Sequence, residues 1–362
     1  MVLLCSLVIA SLLVFCAKDF LRKHQGLCYV ICLCISLAVV AVVWSGAAQG
    51  LSGFPLTLAN VFLQGGLAGA LFIYIMYAGA VPDKSILKRQ VMPIRGILSI
   101  MASILTLGHN VAYGRNYFSL LFLDAASLRV NVLLAAICSV VMILITLPLF
   151  VTSFICIRKK MQPKKWKRLQ RLAYVFYALM FIHVLLLNTT GARAGHVHNL
   201  INIALYSVLF LCYASMRLCR VAVKKGKEGW TSGIQILCSA LMVCGLVLIF
   251  APVSNGTVEE TVSEAYQEPD HWTDGKYKGA SMNGYNGRLT VSVNVEDGKI
   301  ARVRLSGTVD DEEYVEKVKE QLLPAFAEKN TTNLDSISGA TTTSDAVVEA
   351  VRNALEGAVP AE

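Results

Sequence analysis

The chain has 362 residues, 55% of them hydrophobic and 16% charged, with a mean hydropathy of +0.57, values that exclude an ordinary soluble globular protein. The net charge of +9 hides a division, because residues 1–251 contain 23 Lys and Arg against 4 Asp and Glu, whereas residues 252–362 contain 10 against 20. Since the basic residues lie in short loops between apolar runs rather than on a soluble face, we expect no nucleic-acid partner.

Eight apolar runs follow one another along residues 1–251, each near the roughly 20 residues that a membrane-spanning helix needs. We predict spans at Leu3–Ala17, Leu27–Gly46, Leu58–Val81, Gly96–Tyr113, Val130–Phe154, Leu169–Asn188, Leu200–Met216 and Ile234–Phe250. The first run lacks a preceding basic stretch and a small-residue cleavage site, so we interpret it as a helix and not as a signal peptide. The expected fold class is an α-helical membrane bundle of about eight helices followed by a small C-terminal domain.

Basic residues alternate between the predicted loops. Twenty of the 23 Lys and Arg lie in every second connection, and only Arg115, Arg129 and Arg193 lie in the others. By the positive-inside rule the basic loops are cytoplasmic. With eight spans both termini lie outside, so we expect a multi-pass protein of the cytoplasmic membrane, surrounded by membrane lipid, with an extracytoplasmic C-terminal domain.

Two histidines lie inside predicted spans, where an ionisable side chain is costly and often functional. His109 follows Arg95 by about 14 residues and His183 follows Gln170 by about 13, which places both roughly 20 Å from the inner face at 1.5 Å per residue. Imidazoles at matched depth on neighbouring helices suit the two axial ligands of a b-type heme. The simpler alternative is a pair of histidines that form hydrogen bonds between helices.

The residues around these histidines resemble the heme membrane domain of ferric-reductase-like proteins. The run Trp166–Tyr174 followed by His183 is similar to the family pattern Trp-x-x-Leu-His-x-Leu-x-Tyr…His, and the helix of His109 resembles the family's earlier histidine helix. Gln170 stands where the pattern has its inner histidine. The resemblance, mainly over residues 92–190, therefore implies one heme b on the outer side, with His109 and His183 as ligands of the iron.

Two further histidines, His196 and His198, lie in a predicted outer loop. Their spacing suits a metal ion, and either could replace a heme ligand. The alternative is a solvated loop without a metal.

Beyond an acidic linker at residues 252–273, the sequence predicts a small α+β domain. Two strands joined by a turn are expected near residues 289–305, a helix near 311–323 that ends at Pro324, and a second helix after Asp345. The side chains expected to alternate inward on the strands are Leu289, Val291, Val293, Val295, Ala301, Val303 and Leu305, and those expected inward on the helices are Val315, Val318, Leu322, Val347, Val348, Val351 and Leu355.

The stretch Asp335–Ser344 (Asp-Ser-Ile-Ser-Gly-Ala-Thr-Thr-Thr-Ser) comes directly before the second helix. Gly339 and Ala340 permit a tight turn, and a helix N-terminus offers free N–H groups and the positive end of its dipole to a phosphate. A threonine hydroxyl at such a turn can also carry the phosphate as an ester. The alternative is that a hydroxyl residue among 342–344 merely caps the helix.

This stretch resembles the flavinylation motif of FMN-binding domains, which also occur in subunits of sodium-pumping NADH:quinone oxidoreductases and of Rnf-type complexes. Ser338–Thr343 fits the pattern Ser/Thr-Gly-Ala-Thr-x-Ser/Thr, and segments 274–279, 284–287 and 297–300 match as well. In that family a flavin transferase joins FMN through its phosphate to the last Ser/Thr of the pattern. The resemblance, over roughly residues 274–357, implies a phosphoester at Thr343.

The resemblances divide the chain into a ferric-reductase-like transmembrane domain at 1–251, the linker at 252–273 and an FMN-binding domain at 274–362. They assign no catalytic side chain. The residues implied to bind FMN are Thr343, through the covalent bond, and Asp335, Ser338, Gly339, Ala340, Thr341, Thr342, Gly284 and Tyr285.

The function that these predictions favour is transmembrane electron transfer by a component of an oxidoreductase. Electrons would come from a membrane quinol or an electron-donor protein, pass through one heme to extracytoplasmic FMN and leave to an external acceptor. No Gly-rich dinucleotide turn lies in a basic loop, so direct use of a nicotinamide cofactor is not expected. The alternatives are a flavin-based redox sensor, which would need a cytoplasmic output domain, and an ion-coupled transporter, which would need buried carboxylates.

Overall fold

The computed structural model describes residues 2–48, 51, 53–250, 268–269 and 271–358. They form two compact units. The helical unit consists of the described residues of Met1–Ser119, Ala135–Asn188 and Val197–Phe250. The sheet unit consists of Leu120–Leu134, Thr189–His196 and the described residues from Glu268 onward.

Apolar sequence from the N-terminus to Phe250 folds into α-helices, three of which, α7, α8 and α11, have one end in the sheet unit. In chain order they are α1 (Val2–Phe15), α2 (Lys18–Lys23), α3 (Gln25–Ser45), α4 (Gly53–Leu63), α5 (Gly66–Ala78), α6 (Ile86–Val91), α7 (Arg95–Leu123), α8 (Val130–Val151), α9 (Ile155–Arg158), α10 (Pro163–Gln170), α11 (Leu172–Arg193), α12 (Val197–Lys224) and α13 (Trp230–Phe250). Short 3-10 helices lie at Met92–Ile94 and Ala125–Ser127.

Within the described residues, five helical stretches are long and apolar enough to cross a membrane. They are Gln25–Ser45, Ile86–Leu123, Val130–Val151, Pro163–Arg193 and Val197–Lys224. Helices α4 and α5 together would make a sixth, although they meet at 59°, and α1 and Trp230–Gly245 are apolar but shorter. Helices thus occupy all eight predicted positions and fit a multi-pass membrane protein. The eight crossings and their orientation stay predictions.

The bend between α4 and α5 arises at Gly65, whose φ of +71° lies in a region that residues with a side chain rarely adopt. At Gly66, the first residue of α5, an added Cβ would come within 2.5 Å of Ser6 Oγ on α1. The missing side chain therefore lets α5 lie directly against α1, and most residues of α5 are buried.

The sheet unit contains three antiparallel strands in the order β1 (Gly275–Ser281), β2 (Leu289–Glu296) and β3 (Lys299–Thr308), with α14 (Glu312–Lys329) packed on β3 and α15 (Thr341–Leu355) on β1 and β2. Close packing of α15 depends on Gly279 in β1, where an added Cβ would lie 2.0 Å from Ala350 O. The predicted inward residues of β2 and α15 are confirmed as a buried core: Leu289, Val291, Val293, Val295, Val347, Val348, Val351 and Leu355.

The predicted end of α14 at Pro324 is wrong, because the helix continues to Lys329. Proline removes one backbone N–H and crowds the preceding turn, which usually ends a helix. Here Phe326, two residues beyond the proline, is fully buried in the same core as Val318 and Leu322. Burial of that aromatic ring offsets the lost hydrogen bond, and Asn330, with a φ of +50°, ends the helix.

The predicted inward position of Ala301 in β3 is also wrong. Val295 pairs with Ile300 and Asn294 pairs with Arg302, so Ala301 is an extra, exposed residue in a β-bulge. The bulge moves the inward position to Ile300, which is 2% exposed. A one-residue bulge is invisible to a strictly alternating pattern.

Residues assigned to the linker pack within the sheet unit, among them Glu268 and Trp272, whereas linker residues 252–267 and 270 lie outside the described residues. Trp272 is 3% exposed within the core. The carboxylate of Glu268 accepts hydrogen bonds from Thr331 Oγ1 at 3.0 Å and Thr332 Oγ1 at 2.7 Å, and from the Thr332 amide. Burial favours a raised pKa for Glu268, but these hydrogen bonds outweigh it and hold the pKa below its usual value.

Candidate functional site

The turn before α15 has the geometry that its small residues allow. Gly339 has a φ of +78°, and Ala340 N donates to Ile337 O at 2.9 Å. The hydroxyl of Ser344, in the first turn of the helix, accepts a hydrogen bond from Ile337 N at 3.1 Å. These contacts close the turn onto the start of α15, and a side chain at position 339 would strain it.

No side chain caps α15. Ala340 is the N-cap residue and forms no side-chain capping bond. The hydroxyl of Thr343 donates elsewhere, and that of Ser344 accepts from the turn. The capping alternative for residues 342–344 is therefore wrong, and α15 begins without a side-chain cap for its first amides.

The carboxylate of Asp310 gathers three hydrogen-bond donors from two other parts of the chain. Thr343 Oγ1 donates to Oδ2 at 2.7 Å, Tyr285 N donates to Oδ2 at 2.9 Å, and Asn286 N donates to Oδ1 at 2.7 Å. Asp310 follows β3, whereas Tyr285 and Asn286 belong to the loop between β1 and β2. The Thr343 hydroxyl is thus oriented by a carboxylate that can accept its proton, and the residue is only 1% exposed.

Thr343 also lines a shallow depression of the sheet unit. The lining residues are His196, Tyr285, Tyr314, Gly339, Ala340, Thr341, Thr342 and Thr343. The rings of Tyr285 and Tyr314 lie with centroids 4.9 Å apart and planes at 45°. Burial, together with the neighbouring Tyr285, raises the pKa of the Tyr314 hydroxyl, which stays protonated at neutral pH. The depression combines a helix N-terminus with two aromatic rings, a combination that suits a planar ring system bearing a phosphate.

The other predicted site residues differ in position. Gly284 supports the loop at Asp310, because an added Cβ would come within 2.4 Å of Gly287 O and 2.9 Å of Asp310 Oδ1. Asp335 and Ser338 are exposed, and neither lines the depression. The structure therefore brings together Tyr285 and residues 339–343 and leaves Asp335 and Ser338 at the surface.

A segment between α7 and α8 braces the loop that holds Asp310. Arg129 N donates to Asn286 O at 2.9 Å, and Arg288 N donates to Ser127 O at 2.7 Å. An added Cβ at Gly287 would lie 2.1 Å from Ser127 O, so only glycine allows this pairing. Sequence reasoning missed this contact, because no local pattern links residues more than 150 positions apart. It also missed Asp310, because an aspartate after a strand has no distinctive local pattern.

In the helical unit, both predicted heme histidines bind backbone carbonyls through Nδ1. His109 Nδ1 lies 3.1 Å from Leu63 O, and His183 Nδ1 lies 3.0 Å from Ala135 O and 3.2 Å from Ser139 Oγ. A carbonyl acceptor at Nδ1 favours the tautomer whose Nε2 carries the free lone pair.

The remaining candidate residues give no metal cluster. Across the described residues, no group of three or more His, Cys, Asp or Glu side chains could hold a metal ion. His198 lies in the first turn of α12, whereas His196 lines the depression beside Thr343. Gln170 donates from Nε2 to Thr152 Oγ1 at 3.3 Å.

Comparison with known proteins agrees with the C-terminal prediction. Residues 284–356 match the family described as FMN-binding domain. Over 364 aligned residues, 98% of this chain and 99% of the other, the sequence is 35% identical to a protein of Treponema pallidum (strain Nichols) described as uncharacterized. No solved structure matches. The chain therefore belongs to the same family as this Treponema pallidum protein, and its C-terminal part contains an FMN-binding domain.

Proposed function

We propose that the protein transfers electrons across the membrane through one heme b to an FMN esterified to Thr343 on the extracytoplasmic side. The electrons come from a membrane quinol or a donor protein, and they leave to an external acceptor. The FMN-binding domain supports flavin-based redox chemistry. The observation that carries the attachment site is the hydrogen bond from Thr343 Oγ1 to Asp310 Oδ2 at 2.7 Å.

The residues around Thr343 fit an FMN phosphate. The uncapped first turn of α15 supplies N–H groups and a positive dipole end, which stabilise a phosphate dianion. Gly339 leaves room beside the turn, and Tyr285 and Tyr314 offer aromatic surface for the flavin ring. When bound, FMN supplies one- and two-electron chemistry that the side chains of the site do not have.

Asp310 is placed to accept the proton when the ester forms. The O–H bond of Thr343 breaks, its proton passes to Asp310 Oδ2, and an O–P bond forms to the flavin phosphate. A P–O–P bond of the activated flavin nucleotide held by the flavin transferase breaks, and the released phosphate leaves with the other half of that nucleotide. Because Thr343 is only 1% exposed, the turn at 337–340 must open for the transferase to reach it.

The histidine pair supports the heme. Nδ1 contacts with Leu63 O and Ala135 O fix the ring orientations of His109 and His183, as second-shell partners of metal-bound histidines do. Gly65 lies against the face of the His109 ring, where an added Cβ would come within 3.3 Å. The pair would bind the iron through Nε2, as the two axial ligands that a heme needs.

The attachment is tested on the full chain co-expressed with a flavin transferase. Parent protein should show a fluorescent flavin band on a denaturing gel and gain the mass of one FMN less water. Thr343→Ala should abolish both signals, whereas Thr343→Ser should keep them because it retains the hydroxyl.

Thr341→Ser is the matched control, because it changes an exposed threonine of the same turn, keeps the hydroxyl that the family pattern requires and leaves the bond of Thr343 to Asp310 intact. It should retain full flavin. Gel-stable flavin on Thr343→Ala would refute the assignment.

A further inference from the structure

The described helical unit contains a cavity of about 240 Å³ where the ends of α5, α6, α7, α11 and α12 meet. Five cationic side chains line it: Lys88, Arg95, Arg217, Arg220 and Lys224. A cavity with this many positive charges needs a negative partner, because like charges held close together repel one another.

The protein supplies only a fraction of that negative charge. In the described part of the helical unit, Asp83 is the carboxylate of every ion pair, with Lys88 and Arg220 as its partners. Their hydrogen bonds lower the pKa of Asp83 to about 2, so it is ionised at neutral pH. One carboxylate neutralises one of five positive charges, and its side chain is 75% exposed outside the cavity lining.

Three cations of the cavity are not paired with Asp83, and hydrogen bonds to the protein fix the position of one of them. Arg217 donates to Gly79 O at 3.1 Å and to the Tyr174 hydroxyl, and its guanidinium lies over the Tyr174 ring. Arg95 and Lys224 are exposed and form no ion pair within the described residues. The guanidinium of Arg217 is thus pre-oriented, and the two unpaired cations are free to close on an anion.

The cavity lining also contains apolar and aromatic side chains. Ile75, Met76 and Ala173 lie there beside Tyr177 and Tyr213, which are 7% and 9% exposed. The two tyrosine rings contact edge to face with centroids 6.3 Å apart. A ligand complementary to this mixed lining has an anionic head and an apolar or aromatic body.

We propose that this cavity binds a phosphate-bearing amphiphile, with the phosphate at Arg95, Arg217 and Lys224 and the apolar body against Tyr177 and Tyr213. Arginine forks match phosphate oxygens, and basic pockets between membrane helices bind phosphorylated head groups. The phosphate has two sources, an anionic membrane lipid or a soluble nucleotide with an aromatic ring. The inference does not depend on FMN at Thr343.

The test uses purified full-length protein in phosphatidylcholine nanodiscs. Binding of radiolabelled FMN is measured by equilibrium dialysis, and retention of added phosphatidylglycerol is measured by native mass spectrometry. The double variant Arg95→Gln/Lys224→Gln should bind the probe at least tenfold more weakly than the parent protein does. The control Lys164→Gln/Lys165→Gln removes the same charge from exposed positions of α10 outside the cavity and should bind as the parent does.

The two probes separate the sources. Charge-dependent binding of FMN identifies a nucleotide, and charge-dependent retention of phosphatidylglycerol identifies a lipid. The proposal is overturned when the parent binds neither probe, or when the two double variants lose the probe equally.

Discussion

Replacement of Asp310 by asparagine tests whether its carboxylate organises the candidate flavin site. Asparagine can still accept from Asn286 N through its oxygen. Its NH₂ group, however, would face Tyr285 N–H, a donor that now approaches Oδ2 at 2.9 Å. Asp310→Asn thus removes one acceptor and replaces two charge-assisted bonds by neutral ones.

The magnitude follows from those bonds. A hydrogen bond to a charged group contributes about 1.5–3 kcal/mol and a neutral one about half as much. Asp310 is only half-buried, so water replaces part of the loss. We expect local opening of the site to become easier by about 2–3 kcal/mol, which is roughly a 30- to 150-fold change in the opening equilibrium.

Hydrogen exchange measured by mass spectrometry on the full chain reads this directly, because the amides of Tyr285 and Asn286 exchange when the loop opens. Both should exchange faster in Asp310→Asn by the stated factor. Asp311→Asn is the matched control, since it removes the same charge from the neighbouring, exposed residue and should change exchange less than tenfold. Equal exchange in the parent and Asp310→Asn would refute the role of the carboxylate.

Three further predictions concern topology, heme and pH. Met282→Cys, at a position 48% exposed, should react with an impermeant thiol reagent on intact cells, and labelling only after lysis would invert the proposed orientation. His109→Ala and His183→Ala should each abolish the dithionite-reducible b-type absorbance, whereas Gln170→Ala should keep it; full heme in either histidine variant would exclude that ligand. Glu268 has a lowered pKa, so its stabilising contribution is present at neutral pH and is lost as the pH falls through that lowered pKa. Proteolysis of the sheet unit should therefore become faster as the parent protein is acidified. In Glu268→Gln the rate of proteolysis should not depend on pH, because the variant lacks the titrating carboxylate.

The sequence predicted those features that repeat locally. The alternation in β2 and the helical spacing of Val347, Val351 and Leu355 predicted the core residues correctly. When one face of an element is buried, apolar residues recur every second position in a strand and every third or fourth position in a helix. Gly339 and the threonines after it located the turn. These signals depend only on neighbours in the chain, so a single sequence contains them.

Features that depend on distant contacts were not predictable. The bulge at Ala301 and the continuation of α14 through Pro324 are decided by what packs on them, above all Phe326. Asp310 is separated by 33 positions from Thr343, and an aspartate after a strand has no distinctive local pattern. The same holds for the carbonyl partners of the two histidines, because any residue supplies a carbonyl.

The pairing of Arg129 with Asn286 has a consequence for biosynthesis. The two residues are 157 positions apart, and the sheet unit also needs α15, which ends at Leu355. At about 5–20 residues per second, a ribosome takes roughly 10–45 s to travel from Arg129 to the end of that helix. During this interval the segment between α7 and α8 cannot pair with the loop at residues 286–288, so its amides must be hydrated or shielded. Arg129→Pro removes the backbone N–H that donates to Asn286 O. It should therefore lower the yield of assembled protein more than it lowers the stability of molecules already folded.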